Sequence, residues 1–455
     1  MSSPRAAPLQ LQVSTGYRHI LKLALPIAAS LVVPQFNFII NNIFVGHFLA
    51  PEYLAIAAIT GVYYLIFACV GLGFNNGLQA LIARRAGENR LSAIGSLFQN
   101  AVVISTLIGI LCIALTYAVA PPLFRLVLHK KEHADIAIRF LHTRIWGLPI
   151  LYLYQMRNAL LVGTNNSRLL IIGTLAETLT NIFFDYTLIS GSLGFPNMGF
   201  QGAALSSVFA ETAGLLAIFA IMHFQGVSRR LFLFKNIPYN KEEIKLILVQ
   251  SSPLILQFGI SLGSWELFYI LIERNCTIVD LAVSNAMRNV FGLFGCFGWS
   301  LAATSNAMVS NVIGQKKNEE VLPLIRRIVR IGVGAGAFLF VILNLFPRLF
   351  LSIYGQNDAF VNEGIPVLRV VSFVLVLQPA ATIWLNAVVG TGNSKKNLKT
   401  ESITLSVYIV YVWLVLEVFH LPITIAWMSE WIYWIFMFTP SYLYMKSGRW
   451  KGRVI

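Results

Sequence analysis

Charge is scarce in this 455-residue chain: Asp, Glu, Lys and Arg make up 12% of it, against about 25% in a soluble globular domain. With 57% hydrophobic residues and a mean hydropathy of +0.71, it has too little polar surface to cover a water-soluble fold. Cysteine is scarce as well. Cys69, Cys112, Cys276 and Cys296 form no CxxC and have no His at ligand spacing, so neither a redox motif nor a zinc site is expected. They are expected to be small packing residues. No GxxxxGK[ST] occurs, which excludes P-loop ATP hydrolysis. Gly259-Ile-Ser-Leu-Gly263 copies the GxSxG string of hydrolases, but inside an apolar helix it lacks the strand–turn–helix mount that motif needs. Acids are the rarest charges, 19 against 34 Lys and Arg, for a net charge of +15. That excess would suit nucleic acid, except that the basic residues sit in short loops between apolar runs. Membrane topology demands that pattern, and a nucleic-acid partner is excluded. The first twenty residues hold no apolar core of the kind that precedes a signal cleavage site, so no cleavable leader is expected.

What the chain has in abundance is long apolar runs. A hydrocarbon core takes roughly 20 helical residues to cross, and only helices or closed barrels satisfy every backbone polar group there. The runs are far longer than barrel strands, so they are predicted as twelve helices. These lie at about 20–46, 53–82, 93–119, 136–161, 169–190, 200–224, 246–272, 281–312, 324–346, 365–389, 402–419 and 422–445. If both termini and the even-numbered loops share one side, that side holds 25 of the 34 basic residues. The opposite loops hold five: Arg125, Lys130, Lys131, Arg274 and Arg348. The bias predicts cytoplasmic termini in a multi-pass protein of the plasma membrane, the inner membrane of a bacterium.

Three landmarks recur 227 residues apart. Pro26 pairs with Pro253; Gly71, Ala80 and Gly87 pair with Gly298, Ala307 and Gly314; VGTNNS at 162–167 pairs with VGTGNS at 389–394. A common offset at equivalent places in the helix order indicates a duplicated half. Six spans return the chain to its starting side, so the halves share one orientation, as in parallel-repeat transporters. The expected fold is an all-α integral membrane protein of two six-helix bundles. Its predicted parts are an N-terminal lobe (1–224), a cytoplasmic linker (225–245) and a C-terminal lobe (246–455), with alternating access by rocking one bundle against the other.

Several segments resemble the multidrug and toxic compound extrusion (MATE) family: LALPIAASLVVPQFNFIINNIFVGHF in the first span, ALIARRAGEN after the second and NALLVGTNNSR ending the fourth. NIFFDYTLISGSLGFPNMGFQGAALSS across spans five and six is the most specific of them. The resemblance covers essentially the whole chain. It implies a two-lobed antiporter exporting organic, often cationic, compounds in exchange for Na+ or H+, with no other cofactor and no catalytic residue. The competing reading is a lipid-linked oligosaccharide flippase of the same superfamily. The expected partners are a small-molecule substrate and membrane lipid, and a monomer is expected.

An ionisable group at the bilayer centre costs at least about 2.5–3.5 kcal/mol, so such residues are the place to seek a mechanism. Glu177, Asn181 and Asp185 follow one another at i, i+4, i+8 on one helix face. The resemblance assigns Asp185 and Asn181 to the family's N-lobe cation site, with Ser207 at its hydroxyl position. A carboxylate, an amide carbonyl and a hydroxyl are hard oxygen ligands for a transient Na+, and the carboxylate alone suits a proton. Asn37 and Asn41 share a face of the first span and are expected to close the same site. Asn41 stands where the family often carries Asp. In the second half, Glu266 and Arg288 are expected to form an ion pair, structural or switching. Trp265 and Tyr269 are candidates for an aromatic wall facing a lipophilic cation.

Overall fold

The structure, a computed structural model, describes residues 11–48, 52–128, 130–233, 240–354 and 358–453, with side chains at all of these but 36–43, 45–48, 52, 54 and 55. The fold is all-α. In the first half run α1 (Tyr17–Phe48), α2 (Glu52–Gly87), α3 (Leu91–Val127), α4 (Lys131–Arg144), α5 (Leu148–Gly163), α6 (Arg168–Ser190), α7 (Phe200–Phe224) and a short α8 (Val227–Arg230). The second half holds α9 (Lys241–Asn275), α10 (Ile278–Gly314), α11 (Val321–Leu345), α12 (Pro347–Ser352), α13 (Asp358–Gly390), α14 (Ser394–Trp413), α15 (Ile423–Trp427) and α16 (Ser429–Lys446).

These helices account for all twelve predicted spans. Eight among the described residues are long and apolar enough to cross a membrane by length and composition. The other four have local reasons to fall short. Part of α1 lies outside the described side chains. The fourth span is split into α4 and α5 by a 3-10 turn at Ile145–Gly147, with Pro149 opening the new helix where its missing N–H costs nothing. The last span is likewise split between α15 and α16. The final turns of α10 bury Ser300, Thr304, Ser305, Asn306, Ser310 and Asn311, which lowers its hydropathy without exposing it.

Helix ends follow local chemistry. Thr277 caps α10 in a reciprocal box: the Asp280 backbone N–H donates to its hydroxyl at 3.2 Å, and the Thr277 N–H donates to Asp280 Oδ2 at 3.0 Å. α6 ends on Gly191 at φ +74°, a left-handed conformation that glycine adopts without strain.

The described residues divide into two compact units, one of 29–251 with Leu11 and one of 12–28 with 252–453. The divisions fall within α1 and α9, two residues after Pro26 and one before Pro253, rather than at the helix starts. The expected N-terminal lobe therefore loses 12–28 to the second unit, and the predicted linker belongs to the first as far as it is described. Leu231 and Leu233 are buried, and Gly95 of α3 sits so close to the Leu231 carbonyl that a Cβ there would lie 2.5 Å from its oxygen.

In the second unit α11 lies against α13 through two of the three glycines of its GVGAG stretch. A Cβ on Gly336 would overlap the Leu375 carbonyl oxygen, and one on Gly332 would stand 2.8 Å from Pro379 Cβ, whereas Gly334 faces open space. Small residues four apart let two backbones approach, the usual means of helix association in lipid.

Candidate cation site

The site in the first unit is built by α6 and α7. Glycine brings them together at both ends. A Cβ on Gly202 would lie 2.7 Å from the Leu188 carbonyl, and one on Gly214 would lie 3.1 Å from the Gly173 carbonyl. Between these two close approaches the side chains of three residues meet. Ser206 Oγ of α7 donates to Asp185 Oδ1 of α6 and accepts from Asn181 Nδ2 at 3.0 Å. Asp185 and Ser206 are 0% exposed and Asn181 5%. A hydrogen bond to an ionised carboxylate is worth about 1.5–3 kcal/mol, so the hydroxyl helps to hold a charge that the apolar surroundings oppose.

The structure corrects one expected ligand. The hydroxyl beside Asp185 belongs to Ser206, not Ser207. Successive helical residues point about 100° apart; Ser207 therefore turns away, and its Oγ donates to the Ala203 carbonyl one turn back at 3.0 Å. The stripe of three polar residues also divides. Asp185 and Asn181 share Ser206, whereas Glu177, two turns nearer the start of α6, lies beside Tyr154 and Arg157 of α5. Arg157 is fully buried, with its guanidinium 3.7 Å from the Tyr154 ring centre. Asn37 and Asn41 lie on α1, but their side chains are outside the described residues.

A second polar cluster in this unit is a true ion pair. Arg144 Nη2 reaches Glu211 Oε1 at 2.5 Å and Nη1 reaches Oε2 at 3.1 Å, a two-pronged contact. The guanidinium also lies 3.9 Å from the Tyr64 ring centre. Gly147 makes room for it, since a Cβ there would overlap Glu211 Oε2.

In the second unit the expected Glu266–Arg288 ion pair does not form. Among the described ion pairs none joins them. Arg288 instead faces two rings, 5.2 Å from the Trp265 centre and 5.6 Å from that of Tyr269. The two rings stand edge to face at 5.7 Å, and Tyr269 Oη donates to the Ser284 carbonyl at 3.2 Å. A planar guanidinium loses less by leaving water for an aromatic face than an ammonium does, and the rings take the cation that Glu266 was expected to hold.

Two buried acids of this unit escaped the sequence reading. Glu401 of α14 is 2% exposed and accepts from Tyr433 Oη at 2.6 Å and from Gln257 Nε2 at 3.2 Å. Glu430 of α16 is 7% exposed and accepts from Trp434 Nε1 at 3.1 Å. Glu401 sat one residue outside the predicted span 402–419, because the helix starts at Ser394, well before hydropathy rises. Glu430 is the only acid of its run, and that was a sufficient signal.

Apolar helices long enough to cross a bilayer, in two similar halves with acids kept inside them, are the architecture of a multi-pass membrane transporter. The chain belongs to the MatE family, whose profile matches residues 26–187 and 253–414, one segment of equal length in each half. It is 24% identical over 460 residues to a protein of Thermotoga maritima named "Probable multidrug resistance protein NorM", covering 96% of this chain and 94% of that one. It is 19% identical to the "Probable multidrug resistance protein YoeA" of Bacillus subtilis, covering 79% and 78%. Among solved structures, a MATE protein crystallised in complex with MaD3S superposes with a TM-score of 0.87 at 17% identity, covering 98% of this chain and 99% of that one. A MOP superfamily transporter from Pyrococcus furiosus superposes with a TM-score of 0.86 at 17% identity, covering 99% and 98%. The family is one of membrane multidrug efflux transporters.

Proposed function

We propose that this chain exports organic cationic or lipophilic compounds in exchange for Na+ or H+, by rocker-type alternating access, with Asp185 as the group the coupling ion occupies. The observation that carries this reading is the enclosed Asp185–Ser206–Asn181 set. A carboxylate kept from water is costly in hydrocarbon unless it has a task or a partner. One carboxylate, one amide and one hydroxyl can hold a small hard cation or a proton and release it when water enters. Reaching Na+ requires Asn181 to turn its carbonyl oxygen inward, an exchange of amide orientation that Ser206 permits, because a hydroxyl both donates and accepts.

The 25-to-5 division of Lys and Arg supports cytoplasmic termini and a bacterial inner membrane. The chain acts on a small molecule within lipid, as a monomer and without a cofactor. The test is uptake of ethidium into proteoliposomes under an imposed proton gradient and, separately, an imposed Na+ gradient. The reading expects accumulation under one of them. Equal uptake with and without either gradient would overturn it.

A further inference from the structure

The buried acids of the second unit lack what Glu211 has in the first. No Lys, Arg or His lies within 4.0 Å of Glu401 or Glu430 among the described ion pairs. The titratable groups facing Glu430 are the phenols Tyr269 of α9, Tyr408 of α14 and Tyr433 of its own helix. Indole N–H groups come from Trp434 and Trp265. None of these carries positive charge, and a buried carboxylate without a counter-charge costs several kcal/mol even where neutral groups donate to it.

A second observation concerns oxygen atoms. Tyr408 Oη and Ser429 Oγ, which lie beside Glu430, are buried with no hydrogen bond of acceptable distance and angle. Tyr408 is 3% exposed and Ser429 0%. Two buried hydroxyls next to an uncompensated acid stand without a hydrogen bond, and leaving such groups unmade is expensive. Either hydroxyl can donate to an ionised Glu430, but only protonation removes the uncompensated charge, and it adds an O–H able to donate to one of their oxygens. A neutral carboxylic acid acting as a donor in an apolar site is an established arrangement.

We infer that Glu430, with Tyr408 and Ser429, forms a proton-binding site inside the second unit, separate from Asp185. The proton comes from water and returns to it, and no other bond is made or broken. Tyr433 extends the site. It lies one helical turn beyond Glu430, and its Oη donates to Glu401, so a second buried acid stands one phenol away. The inference deepens the antiport reading and rests on it for its purpose, though not for its existence.

Infrared difference spectra of the full-length protein in detergent, between acid and alkaline pH, test the site without any substrate. The wild type is expected to lose protonated-carboxyl C=O absorption on alkalinisation. Glu430→Gln should lack one component of that loss, Tyr408→Phe and Ser429→Ala should shift its frequency, and Asp185→Asn should retain it. A Glu430→Gln spectrum identical to wild type would overturn the inference, as would removal of the component by Na+ at constant pH, which would mark a sodium site instead. In vesicles, Glu430→Gln should lower proton-driven ethidium uptake about tenfold, the scale of a coupling energy. If the wild type accumulates nothing under any gradient, the antiport reading fails while the infrared component still decides the site.

Discussion

Asp185 and Glu211 are both acids enclosed within the first unit, and their surroundings give them opposite parts. Glu211 is neutralised by Arg144 in a two-pronged contact; Asp185 is met by a serine and, through it, an asparagine. The first is a fixed pair; the second is the site proposed above for a mobile ion. Removing Ser206 takes away a hydrogen bond worth about 1.5–3 kcal/mol to a charged acceptor. Ser206→Ala should therefore weaken ion-driven ethidium uptake by about tenfold or more, and Ser207→Ala should leave it close to wild type. Transport by the two variants measured side by side checks the assignment. Breaking the ion pair acts on stability instead: Glu211→Gln leaves Arg144 buried and alone and should cost about 3–5 kcal/mol. The Glu211→Gln, Arg144→Met double variant should recover much of that loss, as read from detergent thermal unfolding.

At the scale of helices, stability depends on how closely backbones approach. Gly336 has no space for a side chain, whereas Gly334, two residues before it, faces open space. Gly336→Ala should destabilise by about 1–3 kcal/mol through overpacking, while Gly334→Ala should be neutral or slightly stabilising from its higher helix propensity. Thermal unfolding of the two variants separates them. The elements themselves were legible from sequence, since each apolar run of the required length became a helix. Their interruptions were less so. The turn at Ile145–Gly147 lies where the polar α4 passes into the apolar α5, and in the sequence only Gly147 and Pro149 hint at a break. The early start of α14 was hidden because its first turns, SKKNLKTE, are polar; that hid Glu401 with them. The identity of the serine depended on a rotation of one residue, about 100°, which the resemblance alone could not fix. Arg288 was misassigned because sequence distance offers no choice between a carboxylate and a pair of rings.

For the whole molecule, duplication was the strongest signal in the sequence, and the family profile matches once in each half. The halves keep one shape and differ in chemistry. The first places Asp185 beside polar side chains, and the second places Glu401 and Glu430 among phenols and indoles. On the proposed reading, coupling belongs to particular buried acids rather than to the repeated frame. The inter-unit crossings within α1 and α9 were not legible, because both helices read as unbroken apolar runs and only Pro26 and Pro253 stand near the divisions.

The central claim is that an enclosed carboxylate converts an ion gradient into export, and substitution of Asp185 tests it most directly. Purified Asp185→Asn protein in proteoliposomes should still exchange ethidium downhill, because the frame is intact. Against a concentration difference, it should accumulate none when a proton or Na+ gradient is imposed. Accumulation equal to that of the wild type under the gradient that drives it would contradict the account.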